Sequence, residues 1–299
     1  MSYFLQLLLN GMHNGALYAL LAYGYVLMRG LTHRTDLAYG ALFAFAGQTL
    51  LLVTAFGWSS LWLTLPAALA LGTLASAAYV FLAGRALARW IYAPLIAGER
   101  NAILVATLGA SMFLTELSRI AAESRDYWLA PVLSSPVHVF GPLNAPTLTT
   151  IQLLNMAGVL AVILLAETVL RRTRIGRIWR AVSDSPLAAR LVGIDTDRAR
   201  SAAIGAAVVI AALAGFMATL HYGNISFDTG MVFGLKVLFI AAAGGLSLPV
   251  HAALGAFAVG IAEALWSGYF PVAWRDVAVF TVLALLLVLR TPEPDEPSG

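Results

Sequence analysis

Lys236 is the only lysine of the chain and stands inside the apolar run 231–246. An ionisable group in such surroundings is costly and turns toward a protein interior or a water-filled cavity. Two carboxylates stand in comparable runs, Glu116 in 101–122 and Glu263 in 250–268. Either can neutralise Lys236, as a structural ion pair or as part of a polar pathway. A second constellation lies near the start. Asn10, His13 and Asn14 fall on one face of a helix, with Gly11-x-x-x-Gly15 beside them. Small residues at that spacing let helices approach closely, and amides hydrogen-bond across them. The stripe therefore reads as packing glue or as the wall of a solute path. Catalysis finds little to work with: five scattered histidines, no cysteine, and no ligand cluster around His13 that would hold a metal. Glu167, four residues before Arg171, reads as a helical ion pair rather than a site.

The densest charge lies in RRTRIGRIWRAVSDSPLAARLVGIDTDRAR, residues 171–200, which holds eight arginines and three aspartates. Inside it, Ser185-Pro186 followed by Leu-Ala-Ala-Arg-Leu-Val and Gly193 marks a short helix at both ends. Serine suits the N-cap, proline the first helical position and glycine the position past the C-terminus. Asp184 precedes the positive helix end, where a carboxylate is favoured. Leu187, Leu191 and Val192 share a face. Two turns are too few to be stable alone in water, so this helix packs against something. Two readings stand: a loop whose arginines fix topology and touch lipid headgroups, or a helix that docks into a partner's groove. Asp195 or Asp197 can cap the next span.

These residues need elements to carry them. The chain has 299 residues, 60% hydrophobic and only 11% charged. A soluble domain is about 25% charged, so a solvated surface cannot be built here. Apolar segments fall at 4–28, 36–57, 61–84, 101–122, 151–170, 201–221, 231–246, 250–268 and 276–290. Most are long enough to cross a hydrocarbon core about 30 Å thick. The fold class expected is all-α: a polytopic transmembrane bundle with eight or nine membrane segments, one domain over 1–290, and a disordered tail over 291–299. The first run lacks a basic lead-in and is too long for a signal-peptide core, so it is kept as a span. The seventh is short enough to be a discontinuous or re-entrant segment enclosed by protein. Asp36 starts the second span as a helix cap. Gly24, Gly40, Gly47 and the Gly244–Pro249 turn are places where a pathway can bend.

Arginine is absent from 1–28, 37–84 and 126–170 and gathers in three loops: 29–35, 85–100 and 171–200. If each segment crosses once, these share a side, and that side is cytoplasmic. The N-terminus is then outside and the C-terminus inside. Arg119 and Arg125 break the rule at the outer end of the fourth span. The outer loop 123–150 carries prolines 131, 136, 142 and 146, which argue against a long helix. Tyr127 and Trp128 sit where an interfacial aromatic belt belongs. The loop reads as a structured lid or as a docking surface for an external protein.

GRIWRAVSDSPLAARLVGI resembles the coupling-helix motif of permease subunits of ATP-binding-cassette importers, in particular the high-affinity branched-chain amino acid permeases. The likeness runs through NGMHNGALYALLAYGYVLMRGL, DLAYGALFAFAG, NAILVATLGASMFL, ESRDYWLAP and TGMVFGLKVLFIAAAGGLSLPVHAALGAFAVGIAEAL, in that order. It implies a cytoplasmic coupling loop 171–200 in which Gly176, Arg177, Arg180, Asp184, Leu187, Arg190 and Gly193 serve contact with an ATPase. It implies two cytoplasmic ATPase subunits, a second and related permease subunit, an external substrate-binding protein, and a place in the inner (plasma) membrane of a prokaryote among its lipids, with no nucleic acid. It implies no chemical catalyst in this chain. The phosphate-binding pattern G-x-x-x-x-G-K-[ST] is missing, so ATP and Mg belong to the partner ATPases. Tyr39 and Ala41 stand where the family often has His and Glu, and Glu116 where it often has an amide or apolar residue. Candidates for the translocation pathway are Asn10, Asn14, Tyr39, Glu116, Lys236 and Glu263. The rival reading is a secondary transporter of a small polar solute, driven by an ion gradient through Lys236, Glu116 or Glu263.

Overall fold

The structure is a computed structural model and describes residues 2–95, 98, 100–138, 146–244 and 248–289. Helices dominate. In chain order they are α1 (Ser2–Thr32), α2 (Ala38–Ser59), α3 (Leu65–Leu87), a π-helical turn (Ala88–Tyr92) running into α4 (Ala93–Leu95), α5 (Arg100–Ala121), α6 (Thr150–Arg172), α7 (Arg174–Asp184), α8 (Pro186–Leu191), α9 (Thr196–Tyr222), α10 (Thr229–Gly244), α11 (Pro249–Tyr269) and α12 (Arg275–Leu289). Every apolar segment read from the sequence coincides with one of them. Seven helical stretches among the described residues are long and apolar enough to cross a membrane: those of α2, α3, α5, α6, α9, α11 and α12. The remaining two segments fall short for different reasons. α1 is long but carries Gln6, Asn10, His13 and Asn14 in its first half. α10 has 16 residues, about 24 Å at 1.5 Å per residue.

The fold is layered by hydropathy turned inside out. α2 is buried almost continuously from Ala38 to Leu51, as a helix apolar on all sides should be. α1 and α9 flank it. The outer helices show large apolar side chains: Leu74 and Phe81 on α3, Phe113 and Ile120 on α5, Leu164 and Leu165 on α6, Val288 and Leu289 on α12. Inside the bundle, contact rests on glycine, because lipid tails leave helix association to close packing. A Cβ on Gly260 of α11 would meet the backbone of Gly15 on α1; one on Gly40 of α2 would meet the Gly230 carbonyl of α10. Gly47 faces Thr219 and Ile225, and Gly24 faces Tyr39 and Ile210. The glycines read as bends thus sit at helix crossings. Of the Gly244–Pro249 turn, residues 245–247 lie outside the described residues.

The three arginine-rich loops converge at one end. Arg34 donates to the Gly98 carbonyl (2.9 Å), Arg200 to the Leu31 carbonyl (3.2 Å), and Trp179 to the Leu27 carbonyl (2.9 Å). The shared side inferred from charge is therefore a shared end in space. Arg119 and Arg125, the two exceptions, are paired where they stand: Arg119 with Glu116 (2.8 Å) and Asp228 (3.6 Å), Arg125 with Glu123 (3.3 Å). Tyr3 donates to the Gly268 carbonyl, so α11 ends beside the start of α1. Arg275, at the start of α12, reaches back to Glu263. α12 therefore starts from the N-terminal end of the bundle. Arg290 and the tail 291–299 lie outside the described residues.

The outer loop holds the one departure from an all-helical chain among the described residues. β1 (Pro136–His138) pairs antiparallel with β2 (Thr147–Thr149), Val137 opposite Leu148. Gln6 of α1 clamps β2 from both sides, accepting from the Thr147 amide and donating to its carbonyl (both 2.9 Å). Thr149 caps α6 through a reciprocal bond with Gln152. Residues 139–145, including Pro142, are outside the described residues.

Substituting Gly260 by leucine should cost more than about 3 kcal/mol, the upper range for overpacking, because backbone rather than a movable side chain stands in the way. Thermal melting in detergent should show a clear fall or loss of folded protein. Gly109→Ala, whose added methyl meets nothing within 4 Å, should melt as the parent does.

Candidate functional site

Lys236 is 1% exposed and sits among four helices. Its Nζ lies 2.9 Å from Glu263 Oε1 on α11 and 2.8 Å from Asp276 Oδ1 on α12. The third ammonium donor points at the Tyr18 hydroxyl of α1, 3.5 Å away. Tyr18 in turn donates to Glu263 Oε2 (2.9 Å). Arg275 adds a second cation, its Nε 3.1 Å from Glu263 and 3.4 Å from Asp276. Two cations and two anions cancel, and the donors of Lys236 are all occupied, which is what a buried charge requires. Of the two partners weighed from sequence, Glu263 is the one. Glu116 is exposed and bound to Arg119. Asp276 was missed, because a carboxylate beside an arginine at a helix start looks like a cap or a local pair.

Above this cluster lies a cavity of about 460 Å³. Its walls come from α1 (Asn14, Tyr18), the end of α9 (Ala218, Tyr222), the segment after it (Asn224, Ser226), and Asp126 and Trp128 of the outer loop. Glu263 and Arg275 reach it from the cluster. Phe43 and Phe233 form an apolar floor, stacked at 5.2 Å with Tyr18 edge-on to Phe233 at 5.2 Å. A larger cleft of about 720 Å³ lies between α3 and α5. It lies among outward-facing apolar side chains such as Leu82, Trp90 and Phe113, so the smaller cavity is the better match for a polar solute.

The other residues singled out from sequence fall in three places. Asn14 lines the cavity and accepts from the Tyr222 hydroxyl (2.8 Å). Asn10 accepts from Gln6 and, at 3.5 Å, from Gln152 of α6. His13 is buried against His221, ring centroids 4.1 Å apart, and meets Asn155 of α6 at 3.3 Å. The stripe on α1 is therefore mostly interhelical bonding, with Asn14 alone in the cavity wall. No group of three metal-ligating side chains occurs among the described residues. Tyr39 lies deeper, edge-on to Tyr25 at 5.8 Å, away from the cavity. Asp36 stands one residue before the N-cap Leu37 and still serves the start of α2, its Oδ1 accepting from the Ala38 amide (2.8 Å). Glu167 pairs with Arg171, as its spacing suggested, and also accepts from Tyr23.

At the arginine-rich end, α7 is fixed and α8 is presented. Gly176 lies against the Leu170 backbone, where no side chain would fit. Arg180 donates to the Leu170 carbonyl (2.9 Å), and Trp179 packs over Gly30. Arg177 and Asp184 are exposed. The capping signals are realised: Ser185 Oγ accepts from the Ala188 amide (3.3 Å), and Gly193 takes φ +83°, a left-handed value that suits glycine. Arg190 bonds Thr196 (2.8 Å), and Asp195 rather than Asp197 caps α9. Leu187, Leu191 and Val192 are 71–81% exposed.

Residues 7–289 match the family described as branched-chain amino acid transport system / permease component. The chain belongs to this permease family. Its similarity to the high-affinity branched-chain amino acid transport system permease protein LivH of Escherichia coli is 31% identity over 294 residues, covering 96% of this chain and 94% of that protein. The corresponding permease protein BraD of Pseudomonas aeruginosa is 30% identical over 298 residues, with the same coverage. The autoinducer 2 import system permease protein LsrC of an Enterobacter species is 30% identical over 202 residues, 65% of this chain and 57% of that one. No solved structure matched. As a member of the permease family the chain is a multi-pass membrane transport protein, and the relatives carry the names of permeases rather than of enzymes.

Lys236→Met in this permease leaves Glu263 and Asp276 facing one another with a single cation. Breaking a buried pair in this way costs about 3–5 kcal/mol, expected as a large drop in melting temperature. Lys236→Met combined with Glu263→Gln should cost less than the sum of the two single changes, since they share one interaction. Strict additivity in that cycle would show that the pair carries no energy.

Proposed function

We propose that the chain is the transmembrane permease subunit of an ATP-binding-cassette importer for branched-chain or related amino acids, in the inner membrane of a prokaryote. The observation that carries this reading is the family match across residues 7–289, with similarity to LivH and BraD running nearly end to end. A binding protein delivers the solute at the outer end, and residues 1–290 act as one permease domain. Two cytoplasmic ATPases, which hold the ATP and Mg, drive alternating access, and a second, related permease completes the pathway. α10, enclosed by α1, α2, α11 and α12, carries the chain inward from the outer end of α9, and α11 returns it to the outer end beside the start of α1. The ion-gradient alternative draws no support from the family, and the internally neutral Lys236 cluster offers no spare charge for ion coupling.

The exposed helix α8 supports the coupling role. Three large apolar side chains in solvent at the arginine-rich end are what a helix docked in a partner's groove would show. α7, held to α1 by Trp179 and to α6 by Arg180, is the strut through which motion of α8 reaches the spans. Arg190 and Gly193 shape the exit from α8, and Arg177 and Asp184 stand exposed on the same side.

Purification from the native host in mild detergent should bring down ATPase subunits and a second permease; a chain that comes out alone, and alone moves solute with an ion gradient, would overturn the importer reading. Leu187→Asp should leave expression and melting unchanged and lower ATP-driven uptake by at least about tenfold, the effect of losing one buried apolar anchor. Uptake at the parental rate would remove α8 from the coupling path.

A further inference from the structure

The cavity above Lys236 carries hydrogen-bonding groups that the internal cluster does not use up. Arg275 spends only its Nε on Glu263 and Asp276. Its two terminal nitrogens have no hydrogen-bond partner among the described residues, and the side chain is 37% exposed. A guanidinium with a free fork matches a carboxylate in a bidentate way. Asp126, also in the cavity wall, is exposed and makes no ion pair among the described residues. Its neighbours are nonetheless fixed: the Leu129 amide donates to the Gly223 carbonyl (2.8 Å), and Asn224 donates to the Tyr127 carbonyl (3.0 Å). The backbone that carries this carboxylate is thus tied to the end of α9. The same cavity wall carries the unused guanidinium nitrogens of Arg275, the Asp126 carboxylate and the apolar floor of Phe43 and Phe233. The volume, about 460 Å³, falls in the range of small-molecule sites, about 300–1,000 Å³.

We propose that this cavity is an amino-acid-binding site of the permease itself, in which Arg275 takes the α-carboxylate, Asp126 the α-ammonium, and the Phe43–Phe233 floor an apolar side chain. The inference rests on the importer reading for its solute class, but the site is defined by geometry and can be tested apart from transport. It gives the permease its own selectivity, for a molecule with both charges and a hydrophobic tail, after a binding protein has let go. Because Glu263 and Lys236 are mutually saturated, they shape the site and hold Arg275 in place without being free to bind the solute. Arg275 is a binding residue and Glu263 a positioning residue.

The test is equilibrium binding of radiolabelled L-leucine to the purified full-length permease complex, without binding protein, with two one-ended competitors. 4-Methylpentanoate lacks the ammonium and 3-methylbutylamine lacks the carboxylate. The parent should prefer leucine to each by about tenfold or more, the scale of one charge-assisted hydrogen bond. Asp126→Asn should abolish the preference over 4-methylpentanoate alone. Arg275→Lys, which keeps the charge facing Glu263 but loses the fork, should abolish the preference over 3-methylbutylamine alone. Melting temperature is read in parallel. If Arg275→Lys does not fold, Asp126→Asn decides the matter, since that exposed carboxylate carries no ion pair. Absence of leucine binding to the parent, or both preferences surviving in the variants, would overturn the site. ATP-driven leucine uptake in proteoliposomes is scored separately. Binding preferences without such uptake leave the site standing and sink the importer reading; uptake without the preferences does the reverse.

Discussion

A single ammonium group sets the terms for the centre of this molecule. Lys236 cannot stand in an apolar bundle uncompensated, and the groups that compensate it come from α11, α12 and α1. Four helices are thereby required to meet at one point. The same requirement explains how a 16-residue helix persists among longer ones. α10 is held by glycine contact to α2 near its start and by ion pairs to α11 and α12 at its middle, so it does not depend on spanning the bilayer. A neutral quartet of charges is also a stiff one. Each side chain is positioned by at least one other, and the cavity above inherits that rigidity.

α1 makes contacts at both ends of the molecule. At the arginine-rich end its Leu27 carbonyl receives the Trp179 indole and Gly30 receives the indole ring. About 14 Å away, at 1.5 Å per residue, Tyr18 of the same helix bonds Glu263 and packs on Phe233. A tilt of α1 driven from α7 would therefore act directly on the floor of the cavity. Glycine-lined crossings at Gly15–Gly260 and Gly40–Gly230 give close contact with little side-chain interlock, which suits helices that must slide.

Much of this was legible in the sequence, for physical reasons. Apolar runs set by bilayer thickness placed every major helix, and arginine placement predicted which loops share a side. The caps of α8 were readable from Ser185, Pro186 and Gly193 because each residue type fits one backbone position. Charge pairing was only half readable. Lys236 demanded a partner, yet composition could not say that Asp276 and Arg275 would fold back beside Glu263, because the turn after α11 is what brings them there. Asp126 was invisible for the same reason: on a proline-rich loop an aspartate looks like solvent-facing polarity until Leu129 and Asn224 fix its neighbours against α9. Tyr39, noted as a departure from the family's motif, and Glu116, noted as a charge in an apolar run, are absent from the cavity wall, since neither motif position nor hydropathy specifies which helix face turns inward.

The chain contains no cysteine, so single cysteines can report which side of the membrane reaches the cavity. Ser226 lies in its wall, and Ala44 is buried in the contact between α2 and α10, against Gly230. Ser226→Cys should react with a membrane-impermeant thiol reagent added outside right-side-out vesicles, and Ala44→Cys should not. Reaction of Ser226→Cys only from the cytoplasmic side, or equal reaction of both from outside, would contradict a cavity open at the outer end beside a closed α2–α10 contact.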